Sequence, residues 1–136
     1  MRVRQRLSFA MVMLATVHSP CPIIAEPLGS QSVVYRNVYS GDIMMGYVPL
    51  GTLVETRGHL WYFRQAGVFL NVNAASARYP LVIDVTAVSA EQRKSLPLCL
   101  APDGSWSGGC AALIRGKTGL INERRGIFAD EIEIFK

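Results

Sequence analysis

Hydrophobic and polar residues alternate through three stretches in the middle of the chain, and this period of two predicts β-strands with one buried face. The stretches are residues 52–63, 68–73 and 81–86, and a short turn at 64–67 makes the first two a predicted hairpin. The predicted inward-facing residues are Val54, Thr56, Gly58, Leu60, Val68, Leu70, Val72, Leu81, Ile83 and Val85. The predicted outward-facing residues are Glu55, Arg57, His59, Trp61, Phe69, Asn71 and Asn73. Gly58 within the first strand predicts a bulge or a bend.

Helix signals interrupt this strand pattern twice. The tripeptide SGD at 40–42 favours a capped, short helical turn that runs through Met44 and Met45 before Pro49 stops it. Ser89 and Gln92 have the spacing of a capping box, in which each side chain satisfies an amide at the start of a helix. Pro97 then ends this second helix, because proline lacks the N–H donor and restricts the residue before it.

Two further strands complete the pattern, CAALIRG at 110–116 and IFADEIEIF at 127–135. The polar segment KTGLINERRG at 117–126 is interpreted as the connector between them. The predicted domain, 51–136, is therefore mainly β, with five strands and one helix between strands three and four. Residues 26–50 form an N-terminal extension to it.

The first residues have the order of a secretory signal peptide. Three arginines precede an apolar run at 7–17, and smaller residues follow up to Ala25. The run has about eleven residues, too few for a membrane-spanning helix, which needs about 20. We therefore expect residues 1–25 to be a signal peptide cleaved near Ala25. The mature protein is then periplasmic or secreted and has no transmembrane segment.

Removal of this segment changes the charge of the chain. The full sequence carries a net charge of +4, from 14 basic and 10 acidic residues. Without Arg2, Arg4 and Arg6, the mature chain has 11 basic and 10 acidic residues, a net charge of +1. A nearly neutral exported domain argues against nucleic acid as the partner.

The cysteines predict a disulfide. Cys21 leaves with the signal peptide, so that Cys99 and Cys110 remain as an even pair in an oxidising compartment. Closing a loop of this length contributes about 3 kcal/mol in the chain-entropy model. A zinc site needs about four ligands, and His59 is the only histidine left beside these cysteines, so we expect no metal site and no cofactor.

Two segments resemble enzyme motifs but do not match them. GSWSGG at 104–109 does not fit the nucleophile elbow, because Ser107 lacks a glycine two positions before it. GKT at 116–118 lacks the first glycine of a P-loop, since Ala111 occupies that position. The acidic residues are interpreted as a solvated face, although paired carboxylates remain the alternative if the protein is an enzyme. These acidic residues are Asp84, Asp130, Glu131 and Glu133.

Four segments of the chain carry a resemblance to known proteins: GTLVETRGHLWY, LVIDV, CAALIRGKTG and GIFADEIEIF. Through them the chain resembles small exported bacterial OB-fold proteins, most of them without an assigned function, and the periplasmic bacterial OB-fold group. Five strands with a helix between the third and fourth is also the plan of the OB-fold, a small, partly open barrel. The resemblance covers 51–135 and implies a binding scaffold, without naming the ligand.

In OB-folds the ligand typically lies on the face of strands two and three, between the loop that joins strands one and two and the loop that joins strands four and five. Guanidinium groups and aromatic rings at such a face suit anion capture and stacking. The resemblance therefore implies a set of candidate ligand-binding residues. They are Arg57, His59, Trp61, Arg64, Phe69, Asn71, Arg124 and Arg125.

We accordingly expect a non-catalytic, exported OB-fold binding module for a small or oligomeric ligand of the cell envelope, anionic or of sugar type. Two alternatives stay open. The arginines can be ordinary surface residues, with Trp61 and Phe69 covered by the N-terminal segment. The protein can also be an interaction module for an envelope protein, such as an inhibitor or a complex subunit, whose apolar contact surface would involve 32–39 or the loop around Trp106.

Overall fold

The computed structural model describes residues 32–73, 80–102 and 105–135, so the predicted signal peptide lies outside the described residues. The helices and strands of the described residues belong to one compact unit, Val33–Lys136. They are β1 (Arg36–Asn37), α1 (Ser40–Met44), β2 (Leu53–Phe63), β3 (Gly67–Asn71), β4 (Leu81–Asp84), α2 (Ala90–Arg93), a 3₁₀ helix (Leu96–Cys99), β5 (Cys110–Ile121) and β6 (Arg124–Phe135). In the described part of the chain, none of the helices has the length and apolar composition that crossing a membrane requires.

The strands of the described residues form a six-stranded sheet in the order β1-β2-β3-β4-β6-β5. The long strand β2 also pairs with β5, so that the hydrogen bonding is partly ring-like without making a clear barrel. The mainly β class is confirmed, and α2 lies between β4 and β5, the third and fourth of the strands that the alternation predicts. The sixth strand, β1, comes from the N-terminal extension and pairs in parallel with β2.

The predicted inward face is largely correct. The side chains of Val54, Leu60 and Leu70 are buried in the main core, together with those of Leu81 and Ile83 in β4. Val72 is an exception, since β3 ends at Asn71 and leaves the Val72 side chain 50% exposed. At Gly58, β2 pairs with β5 without a register shift. This glycine is needed because a Cβ atom there would collide with the carbonyl oxygen of Asn71 on β3.

The predicted connector at 117–126 is wrong, because β5 and β6 continue through it as one long hairpin. Asn122 and Glu123 form its turn with φ angles of 49° and 64°, the left-handed conformation that two-residue turns of type I′ require. A register shift next to Arg115 passes over Asp130. This bulge lets residues on both sides of it keep facing the core although the sequence alternation changes phase.

Both predicted helices form, but their ends differ from the prediction. Helix α1 begins at Ser40 itself, after an N-cap residue, Tyr39, that makes no side-chain capping bond. In α2, Ser89 Oγ accepts a hydrogen bond from the Gln92 amide at 3.2 Å, as expected for a capping box. The Gln92 side chain instead accepts a hydrogen bond from the amide of Ile132, which ties α2 to β6. Pro97 does not end α2, which already ends at Arg93; it lies in the 3₁₀ helix.

Candidate binding site

The outward face of β2 carries the most distinctive side chains of the chain. Its alternation points Arg57, His59, Trp61 and Phe63 away from the main core, and the last three belong to or contact an aromatic cluster. Strand β3 extends this face, because Trp61 pairs with Phe69 and His59 pairs with Asn71. This face is where the sequence places most of the candidate ligand-binding residues.

The predicted disulfide is present and fixes a loop across this face. Cys99 ends the 3₁₀ helix and Cys110 begins β5, with their Cα atoms 5.0 Å apart. We call residues 100–109 the disulfide loop. The Ala101 amide donates a hydrogen bond to the Tyr62 carbonyl at 2.9 Å, so the first part of the loop is tied to β2.

The far end of the disulfide loop is held by His59. The Nε2–H group of His59 donates a hydrogen bond to the carbonyl oxygen of Gly108 at 2.8 Å. Gly109 has a φ of 77° and passes so close that a Cβ atom would lie 2.6 Å from His59 Nε2 and 2.7 Å from the Leu60 carbonyl oxygen. Glycine at 109 is therefore required both by the backbone conformation and by the close approach to β2.

Trp106, in the disulfide loop, covers Trp61. The Trp106 ring meets three rings of the β2–β3 hairpin edge to face, at centroid distances of 5.2 Å from Trp61, 4.8 Å from Phe63 and 5.6 Å from Phe69. Trp61 is 0% exposed and Trp106 is 39% exposed. The exposure predicted for Trp61 is therefore wrong. Its side chain points outward from β2 as expected, but the disulfide loop buries it, and Trp106 is the accessible indole.

A cleft of about 730 Å³ opens beside this ring, and we call it the Trp106 cleft. One wall comes from the β2–β3 hairpin and the other from the disulfide loop. The lining residues are Phe63, Arg64, Gln65, Ala66, Phe69, Leu100, Ala101, Pro102 and Trp106. Arg64 and Phe69, two of the candidate residues, thus meet in one site. The residues on the loop side were not among the candidate ligand-binding residues, although the loop around Trp106 was one of the candidate surfaces for a protein partner.

A second cleft of about 510 Å³ lies farther along the outward face of β2, and we call it the Tyr39 cleft. Its lining residues are Asn37, Val38, Tyr39, Arg57, Gly58, His59, Val72, Asn73 and Ala111. Arg57 lies with its guanidinium carbon 5.4 Å from the centroid of the Phe135 ring, a cation–π contact that holds this side chain in place. The structure therefore brings Arg57 and His59 together here, apart from Arg64.

Asn71 faces outward as expected, opposite His59, but its side chain is only 7% exposed. Its Oδ1 atom accepts a hydrogen bond from the Val72 amide at 2.7 Å. Within the described residues, its buried Nδ2 group has no hydrogen-bond partner. Asn71 thus supports the backbone at the end of β3, next to the Tyr39 cleft.

Arg124 and Arg125 lie away from both clefts. The β5–β6 turn is at the opposite end of β2 from the β2–β3 turn, because Leu53 pairs with Lys117 whereas Phe63 pairs with Gly67. Arg125 donates a hydrogen bond to the Val48 carbonyl at 3.3 Å, and Arg124 lies 3.5 Å from the Pro80 carbonyl. Both side chains thus contact backbone carbonyls of neighbouring segments, and their role in ligand binding stays a prediction.

The carboxylates of the outer face are partly paired. Arg115 Nε lies 2.6 Å from Glu55 and its Nη1 lies 3.0 Å from Glu131, which links β2, β5 and β6. The hydrogen bond to Glu55 contributes most to raising the pKa of the Arg115 guanidinium, and the hydrogen bond to Glu131 raises it further. Among the described residues, no group of three or more His, Cys, Asp and Glu side chains is arranged to hold a metal ion.

Comparison with protein-family models finds no match for this chain. Comparison with curated proteins finds no significant relative either. The function must therefore be inferred from the geometry of the two clefts.

Proposed function

We propose that this protein is a non-catalytic, exported binding module with an OB-fold, and that the Trp106 cleft binds an anionic or sugar-type ligand of the cell envelope. The proposed barrel is supported by the antiparallel pairing of β2 with β5 and the parallel pairing of β4 with β6, which together bring five strands most of the way round a ring. The proposed export is supported by the composition of residues 1–25 and by the disulfide, a bond typical of oxidising compartments.

The observation that carries the proposal is the composition of the Trp106 cleft. Phe63, Phe69 and Trp106 offer apolar ring faces and edges, and Arg64 and Gln65 add polar groups at the exposed β2–β3 turn. A few polar groups in a mostly apolar concave site is the usual make-up of a small-ligand site. A sugar ring has an apolar face that can stack on an indole, and a guanidinium group binds a carboxylate through two parallel hydrogen bonds.

The test is a titration of the mature protein with galacturonic acid and with the neutral sugar galactose, followed by calorimetry and tryptophan fluorescence. We expect galacturonic acid to bind more tightly. Trp106→Ala should weaken the binding of both sugars at least tenfold, and Arg64→Ala should weaken only that of the acid. Arg93→Ala, an exposed arginine on α2, is the matched control. Failure of both sugars to bind, or equal binding by the wild type and Trp106→Ala, would overturn the proposal.

A second candidate function is supported by a different surface. Val33 and Val34 are 59% and 81% exposed and precede β1, in one of the segments that the sequence marks as an apolar contact surface. An envelope protein that packs on this segment would make the chain an interaction module. Pull-down from a periplasmic extract tests this function. A stoichiometric complex that is lost in Val34→Asp would establish the interaction function. This result would hold whether or not the protein also binds sugars, so the interaction function is tested separately from the cleft.

A further inference from the structure

The Trp106 cleft and the Tyr39 cleft open on the same face of one strand. Arg57 and His59 line the Tyr39 cleft and Phe63 lines the Trp106 cleft, and all three are outward positions of β2. The disulfide loop crosses β2 between them, because Trp106 covers Trp61 and Gly108 is bonded to His59. Five residues of extended chain lie between Arg57 and Phe63, so their Cα atoms are six steps, or about 20 Å, apart.

We propose that the two clefts are two subsites for one extended, carboxylate-bearing oligosaccharide that crosses β2 over the disulfide loop. This inference rests on the proposed function of the Trp106 cleft and adds that the ligand is an oligomer. A single sugar ring would occupy one cleft and leave the other unused, since the span between them exceeds the size of one ring.

The Tyr39 cleft has the groups that a second acidic unit needs. Tyr39 is 76% exposed and offers a ring for stacking. Arg57 is exposed and held against Phe135, and none of the ion pairs among the described residues involves it. Its guanidinium N–H groups are therefore available to a carboxylate, and the contact with Phe135 favours one placement of the side chain.

The disulfide loop offers polar groups between the two clefts. The hydroxyl groups of Ser105 and Ser107 are exposed and lie 2.6 Å from each other. Ser105 donates its hydroxyl hydrogen to the Pro102 carbonyl at 3.1 Å and accepts that of Ser107, so the pair keeps free lone pairs that can accept hydrogen bonds from sugar hydroxyls. The path from one cleft to the other is thus polar where an oligosaccharide would cross it.

The experiment compares galacturonic acid with its linear oligomers of increasing length, by calorimetry on the mature, oxidised protein. We expect the affinity to rise at least tenfold once the oligomer is long enough to reach from one cleft to the other. Arg57→Ala and Tyr39→Ala should abolish this gain, so that in these variants the longer oligomers bind no more tightly than the monomer. Trp106→Ala should weaken the monomer and the oligomers alike, and Arg93→Ala is again the control for loss of an exposed arginine.

The outcomes separate this inference from the proposed function. If the monomer binds and the oligomers bind no more tightly, the inference is overturned and the Trp106 cleft remains a site for a single sugar. A gain with length that survives in both Arg57→Ala and Tyr39→Ala would also overturn it, because the second cleft would then not be used. If neither the monomer nor the oligomers bind the wild type, the proposed function fails and the inference fails with it.

Discussion

Trp106 and Trp61 meet edge to face, with an interplanar angle of 86°, so that an exposed ring of the disulfide loop covers a buried ring of β2. The two residues are the only tryptophans of the chain. Trp61 also contacts the ring of His59, whose Nε2–H group holds the loop through Gly108. The burial of Trp61 therefore depends on the position of the disulfide loop.

Trp106→Ala should expose Trp61 to solvent, because the other rings in contact with it lie in its own strand or in β3. We expect the fluorescence of the remaining indole to shift to longer wavelength and to become accessible to acrylamide quenching. In Trp61→Phe, by comparison, Trp106 is the remaining indole, and its emission should be that of a solvent-accessible ring. Leu98→Ala removes an exposed apolar side chain just before the loop and should change neither property. A Trp61 that stays protected in Trp106→Ala would contradict the proposed cover.

The double variant Cys99→Ser, Cys110→Ser should lower the free energy of unfolding by about 3 kcal/mol, because the unfolded chain is no longer constrained by the loop. The residues of one wall of the Trp106 cleft lie within this loop. The variant should therefore also lose the near-UV circular dichroism of the packed indoles and bind galacturonic acid more weakly. Urea denaturation and circular dichroism measure the two effects, and the wild type under reducing conditions should behave in the same way. An unchanged near-UV spectrum would show that the loop is held in place without the bridge.

Two buried threonines should respond in opposite ways to the same substitution. Thr118 Oγ1 accepts a hydrogen bond from the Thr52 amide at 3.0 Å and donates one to the Pro49 carbonyl at 2.8 Å. Thr118→Val removes the acceptor of the half-buried Thr52 amide, whereas the Pro49 carbonyl keeps the hydrogen bond that the Thr52 hydroxyl donates to it at 2.6 Å, so the variant should cost about 1 kcal/mol of stability. In the described part of the chain, Thr56 Oγ1 is buried without a hydrogen-bond partner, so Thr56→Val should be neutral or stabilising.

Urea denaturation of these two valine variants supplies the measurement, and each variant is the volume-matched control of the other. Equal destabilisation by both would indicate that Thr56 has a polar partner, such as a buried water molecule, and that the difference between the two sites is not the hydrogen bond.

The alternating strands could be predicted because one face of each packs on the core, as for Val54 and Leu60 in β2. The part of the β5–β6 hairpin at 117–126 could not be predicted in this way. Its inward position Thr118 is polar and is satisfied by Pro49 and Thr52, residues distant in sequence. Its turn also lacks the Asn-Gly pair that marks a type I′ turn, since Glu123 takes the second left-handed position.

The candidate site could be predicted only in part, again because some of its contacts join segments that are distant in sequence. Arg64 and Phe69 are placed by the local β2–β3 hairpin, which the sequence shows, and they share the Trp106 cleft. The burial of Trp61 and the wall around Trp106 depend on the path of the disulfide loop. The Cys99–Cys110 bridge could be predicted from the cysteine count, but the position of the loop on β2 also depends on the His59–Gly108 hydrogen bond, a contact that no local pattern contains.

Tyr35 should make the stability of the fold depend on alkaline pH. Burial raises the pKa of its hydroxyl above the ordinary value of 10.0, and the Asp130 carboxylate, which accepts a hydrogen bond from it at 3.3 Å, raises this pKa further. Glu131 acts in the same direction and Arg115 in the opposite one. Because the folded state favours the neutral phenol, the stabilisation is fully present below pH 10 and is lost as the pH rises through the pKa of the folded state.

Tyr35→Phe removes this group. It should be slightly less stable than the wild type at neutral pH, because the bond to Asp130 is lost, and this difference should shrink or reverse above pH 10, where the wild type alone has to ionise Tyr35 against burial and a neighbouring carboxylate. Urea denaturation across this pH range gives the two stabilities, and absorbance titration of the phenols follows the ionisation directly. Tyr47→Phe, which removes an exposed phenol from a different segment, is the control. A difference between the wild type and Tyr35→Phe that stays constant across pH 10 would mean that folding does not perturb Tyr35.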